Sequence, residues 1–330
     1  MFASLNTMRS RVIDRLGLKT FELSQAFPLF YDKVEKSNWF LENVLDTLDE
    51  PLDGRLMAHL LADPVGDGGQ WDMFRSLVKK YGVCPKEAMP ETACSRNTRE
   101  MDDYLTRYLR GTARRLRESH EAGVDACDLQ SMKAEMMREV TSLLVTCFGE
   151  PPATFDVRLR DKDDKLVLKS TFTPRSFFEQ VVDMNADNYV SVISANTADK
   201  PFGHTYTVSR LGNVVEDGGV RYLNLPVEGA LTRSERLDYG ESVMTHAMVL
   251  EGVNLDEAGH PTLWKVENSW GDERGKDGFD SITDAWFNEY VYQVVVDKRF
   301  LSDEERHTYE AEEPRVLAPW DPMGTFALTR

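Results

Sequence analysis

Basic residues are in short supply in this chain. Its 39 lysines and arginines face 56 aspartates and glutamates, giving a formal net charge of −17 and a sequence pI near 4.9. Such a chain repels phosphate backbones, so nucleic acid is a poor general partner. Cysteine is also scarce. Cys84, Cys94, Cys127 and Cys147 lack close metal-ligand spacing, and in 330 residues they read as reduced thiols of a cytoplasmic protein rather than a disulfide framework. Neither a metal nor a cofactor is expected. No apolar run approaches membrane-spanning length, which removes the bilayer as a partner. The opening Met1-Phe-Ala-Ser-Leu-Asn-Thr-Met-Arg-Ser10 has no continuous apolar core, so it is not a signal peptide. No internal repeat is evident. What remains is a globular chain, 41% hydrophobic with mean hydropathy −0.44, long enough to bury a sizeable core in one large domain or two lobes.

Apolar residues at Phe2, Leu5, Met8, Val12 and Leu16 form a helical stripe closed by Gly17. With no capping residue before it, this helix is expected to continue from something upstream. A second helix-like stretch runs from about Ser24 to Leu48. Gly66-Asp-Gly-Gly-Gln-Trp-Asp-Met73 is a glycine-rich turn feeding a helix through Lys80. Its glycines would let backbone approach a ligand, although a plain helix-entry turn fits equally well. Residues 91–148 read as helical and highly charged. The basic run Arg107, Arg110, Arg114, Arg115 and Arg117 is followed by Glu118, Glu121, Asp125 and Asp128, a solvated helical hairpin rather than a nucleic-acid arm. Asp161-Lys-Asp-Asp-Lys165 joins two alternating runs as a hairpin tip, without the glycine and distal glutamate of a calcium loop. Strands are expected at Tyr189–Ser194 and Thr205–Val208, and again after Gly218-Gly219 through Leu225. A final buried strand is expected within Trp286–Val296.

The chemistry lies near the C-terminus. Val243–Val253 and Leu263–Asn268 read as strands flanking the turn-forming Asn254–Pro261. A hairpin centred on Glu257 gives paired positions a sum of 514, which sets His246 opposite Asn268 on one face. An imidazole held by a carboxamide is the orienting half of a Cys-His-Asn site, the amide fixing ring tautomer and plane so that the other nitrogen can take a thiol proton. Trp270 would roof that hydrogen bond against water. An isolated histidine and asparagine would more often be a core pair at a strand end. The run Val266-Glu-Asn-Ser-Trp-Gly271 and the chain order favour the site.

Taken together, these segments resemble the bleomycin hydrolase and aminopeptidase C branch of the papain-like cysteine peptidases. The matching words include Phe2-Ala-Ser-Leu-Asn6, Phe21-Glu-Leu-Ser-Gln25, Asp67-Gly-Gly-Gln-Trp-Asp-Met73, Gly240-Glu-Ser-Val-Met-Thr-His-Ala-Met248, Val266–Gly271, Trp286-Phe-Asn-Glu-Tyr-Val-Tyr292 and Trp320-Asp-Pro-Met-Gly324. The resemblance implies an α+β, two-lobe fold, with a helical lobe and an antiparallel sheet lobe carrying His and Asn. The expected organisation is a partial helical lobe at 1–90, an inserted helical region at 91–150, the sheet lobe at 151–300 and a tail at 301–330. It implies His246 as general base, Asn268 as its orienter, and Asp67, Gly68 and Gly69 with Trp270 in the substrate cleft. It also implies peptide substrates trimmed from their N-termini and a cytoplasmic homo-hexamer.

Three departures accompany the resemblance. In the family, Phe-Ala-Ser-Leu-Asn follows the catalytic Cys-Trp almost immediately, so the nucleophile is expected just before Met1 and is not supplied by the four cysteines present. The join Leu225–Arg236 is shorter than the family's by a few dozen residues, including a strand beside the His strand. The tail Thr325–Arg330 overshoots the point where the family's terminal carboxylate sits in the cleft. The expectation is a cysteine aminopeptidase whose polypeptide 1–330 is inactive alone, with a non-catalytic peptide-binding or oligomer-partner role as the alternative.

Overall fold

A computed structural model describes residues 2–194, 200–217, 219–224, 242–271 and 275–324. The join Leu225–Arg236 and the tail Thr325–Arg330 lie outside the described residues.

Helix α1 (Phe2–Leu16) ends at Gly17, whose φ of +62° is the left-handed conformation expected of a C-terminal glycine. Its stripe of Leu5, Met8 and Val12 is buried. The same buried cluster takes in α2 (Ala26–Asp46), which contributes Phe27, Phe30, Phe40, Leu41 and Val44. Around it lie α3 (Arg55–Ala62), α4 (Trp71–Tyr81), α5 (Ala93–Arg96) and the long antiparallel pair α6 (Arg99–Glu121) and α7 (Ala126–Phe148). Every fourth or third residue of α6 faces in, at Met101, Leu105, Leu109, Thr112 and Leu116, as an amphipathic helix requires. Arginines from its basic run serve structure. Arg110 donates to the carbonyls of Leu61 and Ala62 at the end of α3, and Arg117 to those of Thr47 and Glu50 beyond α2. Among the described residues no helix is long and apolar enough to cross a membrane.

Strands β1 (Phe155–Arg160) and β2 (Leu166–Phe172) form the expected hairpin. The Asp161 carboxylate at its tip accepts from the backbone N–H groups of Asp163 and Lys165, so it is spent on its own turn. After α8 (Pro174–Phe177) come β3 (Tyr189–Ile193), β4 (His204–Val208), β5 (Tyr222–Asn224), β6 (Val249–Leu255), β7 (Pro261–Glu267) and β8 (Phe279–Thr283). The chain ends with α9 (Asp284–Tyr290), β9 (Gln293–Asp297), α10 (Asp303–Ala311) and β10 (Arg315–Leu317). One sheet has the order β10-β4-β5-β3-β9, with β10–β4 and β3–β5 parallel and the rest antiparallel; another runs β6-β7-β8, wholly antiparallel.

Two expectations are corrected here. Trp286–Val296 is not one strand. Thr283 accepts the N–H of Trp286 through its side chain and starts α9, and only Gln293–Asp297 is extended, half-buried between its faces. The His strand also begins later than expected, at Val249, leaving residues 242–248 outside the ladder.

Candidate active site

The β6–β7 hairpin sets the register of the site. Val249 pairs with Glu267 and Leu250 with Val266, a constant sum of 516 rather than 514; irregularities at Leu250/Gly252 and Asn254/Leu255 shift it to 517 and back. Continued past the last ladder pair, this register sets His246 opposite Trp270 and diagonal to Asn268. Both relations are seen. The His246 ring stacks on Trp270 with centroids 4.7 Å apart at 28°, and His246 Nε2 lies 2.7 Å from Asn268 Oδ1. The predicted pairing of imidazole and carboxamide holds although the predicted register does not, because a diagonal neighbour in an antiparallel pair is still within side-chain reach.

Asn268 is buried, while His246 and Trp270 are exposed. The asparagine extends β7 by one step, its N–H donating to the Gly278 carbonyl at 3.0 Å. Its Oδ1 also accepts from the Ser269 N–H at 2.8 Å, and its Nδ2 donates to Asp280 Oδ2 at 3.1 Å. Oδ1 can only accept, so Nε2 of His246 carries the ring proton and Nδ1 is the nitrogen with a free lone pair. Asp280 was not foreseen; it belongs to a strand that sequence patterning did not identify. One residue before Asn268, buried Glu267 accepts from Arg9 of α1 at 2.6 Å, which ties the first helix to the Asn strand.

The Asp67-Gly68-Gly69 loop is built from below by two lysines of α2. Lys33 is fully buried and donates to the Val65 carbonyl at 2.6 Å and to Asp67 at 2.8 Å, with Asp102 of α6 at 2.7 Å. Lys36 donates to the carbonyls of Gly66 and Gly68, each at 2.6 Å, and pairs with Asp32. Burial pushes the Asp67 carboxyl up, but Lys33 and the Thr98 hydroxyl more than offset this and hold it below its ordinary range. Burial raises Asp102 to about 6, in spite of Lys33 and with Asp67 adding to the rise. The Asp67 side chain is thus committed to the protein, whereas Gly69 stays exposed with open space where a Cβ would stand. Among the described residues no hydrogen bond joins this loop to the His246–Asn268 pair. Met73, on α4 behind the loop, belongs to a buried cluster with Tyr222 and Tyr292, and the partly buried Met244, two residues before His246, packs against that cluster.

The four cysteines all sit on the helical side. Cys84 follows α4 and its carbonyl accepts the Ser24 N–H; Cys94 is on α5, and Cys127 and Cys147 are on α7. Among the described residues none of them makes a hydrogen bond to His246.

Comparison with known proteins gives a consistent picture. A family model described as Peptidase C1-like family matches residues 1–231 and 227–324. Aminopeptidase C from Streptococcus thermophilus is 45% identical over 374 residues, covering 99% of this chain and 84% of the relative. Bleomycin hydrolase from Rattus norvegicus is 34% identical over 381 residues, with the same coverage of each. The crystal structure of PepW from Lactobacillus rhamnosis HN001 superposes with a TM-score of 0.95 at 43% identity, covering 99% of this chain and 84% of that one. The 374 aligned positions exceed the chain's 330 residues by 44, so the Streptococcus relative carries at least that many positions facing gaps here. The two matched stretches of the family model meet at 227–231, inside the join that reads as short. With the α+β papain-like fold, the His–Asn pair and matches running nearly end to end, the chain belongs to the Peptidase C1-like family, in its aminopeptidase C and bleomycin hydrolase branch.

Proposed function

We propose that this chain is the base-bearing body of a cysteine aminopeptidase, acting on peptides from the N-terminus, in which His246 is the general base and Asn268 its orienter. The 2.7 Å contact between His246 Nε2 and Asn268 Oδ1 carries this reading. With Nε2 protonated and held, Nδ1 would take the proton of a cysteine thiol. The thiolate would attack the scissile carbonyl carbon, and the imidazolium would return the proton to the departing amine. Trp270, stacked on the imidazole, would limit water's access to the ring's bond with Asn268. The exposed backbone at Gly69 would offer an edge for an extended peptide. The names of the relatives, aminopeptidase C and bleomycin hydrolase, support the same reaction class.

The nucleophile is not among the four cysteines in this proposal. A catalytic thiol needs a lowered pKa. Burial instead pushes Cys84 up to about 12, and burial together with the neighbouring Cys94 pushes Cys147 up to about 11. Polypeptide 1–330 alone is therefore expected to bind peptides without turning them over. Self-association is supported by Leu250, Val253 and Leu255, which stand exposed on the β6–β7 hairpin, and sedimentation velocity reads it directly.

The test has two arms. Purified 1–330 should show no hydrolysis of aminoacyl-amide substrates; strong alkylation of one of its cysteines, abolished by His246→Ala, would overturn the assignment of the thiols. A chain extended upstream of Met1 by the family's segment ending in Cys-Trp should hydrolyse those substrates and lose about 10²–10⁴-fold in kcat on His246→Ala. Activity in the extended chain that is indifferent to His246→Ala would sink the proposed base.

A further inference from the structure

We infer that Asp280 is a positioning residue: its carboxylate holds the Asn268 amide in the orientation that presents Oδ1 to His246, and so selects the Nε2-protonated tautomer of that imidazole. The placement follows from the sheet. Asp280 pairs with Val266 across β7 and β8, and Asn268 lies two residues beyond Val266 on the same face, which makes the two side chains diagonal neighbours. They meet at 3.1 Å between Asn268 Nδ2 and Asp280 Oδ2.

The chemistry allows one orientation. An ionised carboxylate only accepts hydrogen bonds, and a backbone N–H only donates. Asp280 therefore requires Nδ2 on its side, and the Ser269 N–H, 2.8 Å from Oδ1, requires oxygen on the other. Rotating the amide by half a turn would press Oδ1 against the carboxylate and aim Nδ2 at the Ser269 N–H. It would also turn an N–H₂ group toward His246, where Nε2 could then only accept. The proton would move to Nδ1, the nitrogen that must be free to serve as base. Ser269 N–H and Asp280 are thus two locks on one rotor, and Asp280 is the lock made by a side chain.

This inference rests on the reading of His246 as the base, and its test is independent of turnover. In the 330-residue chain carrying ¹⁵N-labelled histidine, at a pH where the ring is neutral, the nitrogen shifts of His246, identified by their loss in His246→Gln, report which nitrogen is protonated. The expected result is a single Nε2–H tautomer in the unaltered chain and in Asp280→Asn, whose carbonyl can still accept from Nδ2. In Asp280→Leu the loss of one hydrogen bond of this class should move the flip equilibrium roughly tenfold, and a mixture with the Nδ1–H form should appear. Asp280→Ala, which removes the acceptor with little demand on packing, gives the same readout should leucine prevent folding. A leucine or alanine variant with native near-UV circular dichroism and an unchanged single tautomer would overturn the inference, as would an asparagine variant that loses the tautomer as fully as leucine. A failure of the extended chain to hydrolyse peptides would count against the proposed reaction and leave this outcome unaffected.

Discussion

Lys33 shows how much a single side chain can determine. It is fully buried in α2 and holds the Asp67 and Asp102 carboxylates together with a backbone carbonyl. Removing one partner of a buried ionic group leaves the others uncompensated, which costs about 3–5 kcal/mol. Lys33→Met should lower unfolding stability by that amount in urea titrations; a loss under about 1 kcal/mol would mean that water or another cation takes its place. Asp102 makes a pH-dependent counterpart. Its folded value of about 6 lies above its ordinary value of 3.8, so the folded state binds the extra proton and this group's contribution to stability grows as pH falls from above 6 toward 4. Asp102→Asn, a mimic of the protonated form, should therefore gain on the unaltered chain at pH 7 and lose that advantage by pH 4.5 when thermal midpoints are compared. An advantage that is constant with pH would refute the assignment. Neither lysine of α2 was legible in the sequence as a buried group. Charged residues at helical spacing read as a solvated face, and only the three-dimensional return of residues 65–68 over α2 turns Lys33 and Lys36 inward.

Among the elements, α1 and β7 are the pair that matter to the proposed chemistry. Arg9 bridges them through buried Glu267 and reaches Glu22 as well. Burial and the adjacent Glu267 raise the carboxyl of Glu251 on β6, with Lys265 and Arg9 acting against the rise. Arg9→Ala should cost about 1.5–3 kcal/mol, the range for hydrogen bonds to charged groups. A double-mutant cycle with Glu267→Ala should give a coupling above about 0.5 kcal/mol; strict additivity would show that the helix and the strand are not joined through this pair. The sequence made the helices and the His–Asn hairpin legible, because periodicity and turn residues act locally. It did not reveal the 516 register, because the turn closes one residue later than its composition suggests, on Ala258, where the Asp256 N–H donates to the His260 carbonyl, and the two irregularities along the ladder cancel before the site. The start of α9 carried a readable signal in Thr283 followed by Asp284, a cap and a first-turn acid, but the valine-rich Val291–Val296 beyond it dominated the reading. Asp280 was out of reach for a different reason: its role exists only once β8 lies beside β7.

For the whole molecule, a formal charge of −17 means that compaction works against self-repulsion. Added salt screens exposed charges over about 10 Å at 0.1 M, so the thermal midpoint should rise between low salt and a few tenths molar sodium chloride. A falling midpoint would indicate that the paired ions, Arg9 with Glu267 and Lys33 with its carboxylates, outweigh the net charge. The papain-like fold was legible because its distinctive words are spread from the first helix to Trp320-Asp-Pro-Met-Gly324, whereas no local pattern announces that Met73 and Met244 pack on one cluster around Tyr222 and Tyr292. The 65–68 segment, finally, is moored by four lysine-donated bonds to one rigid helix. A wall anchored in this way cannot swing as a lid. Peptides would have to fit a rim already in shape, so differences among substrates should be seen in how tightly they dock, with no slow closing step ahead of the chemistry.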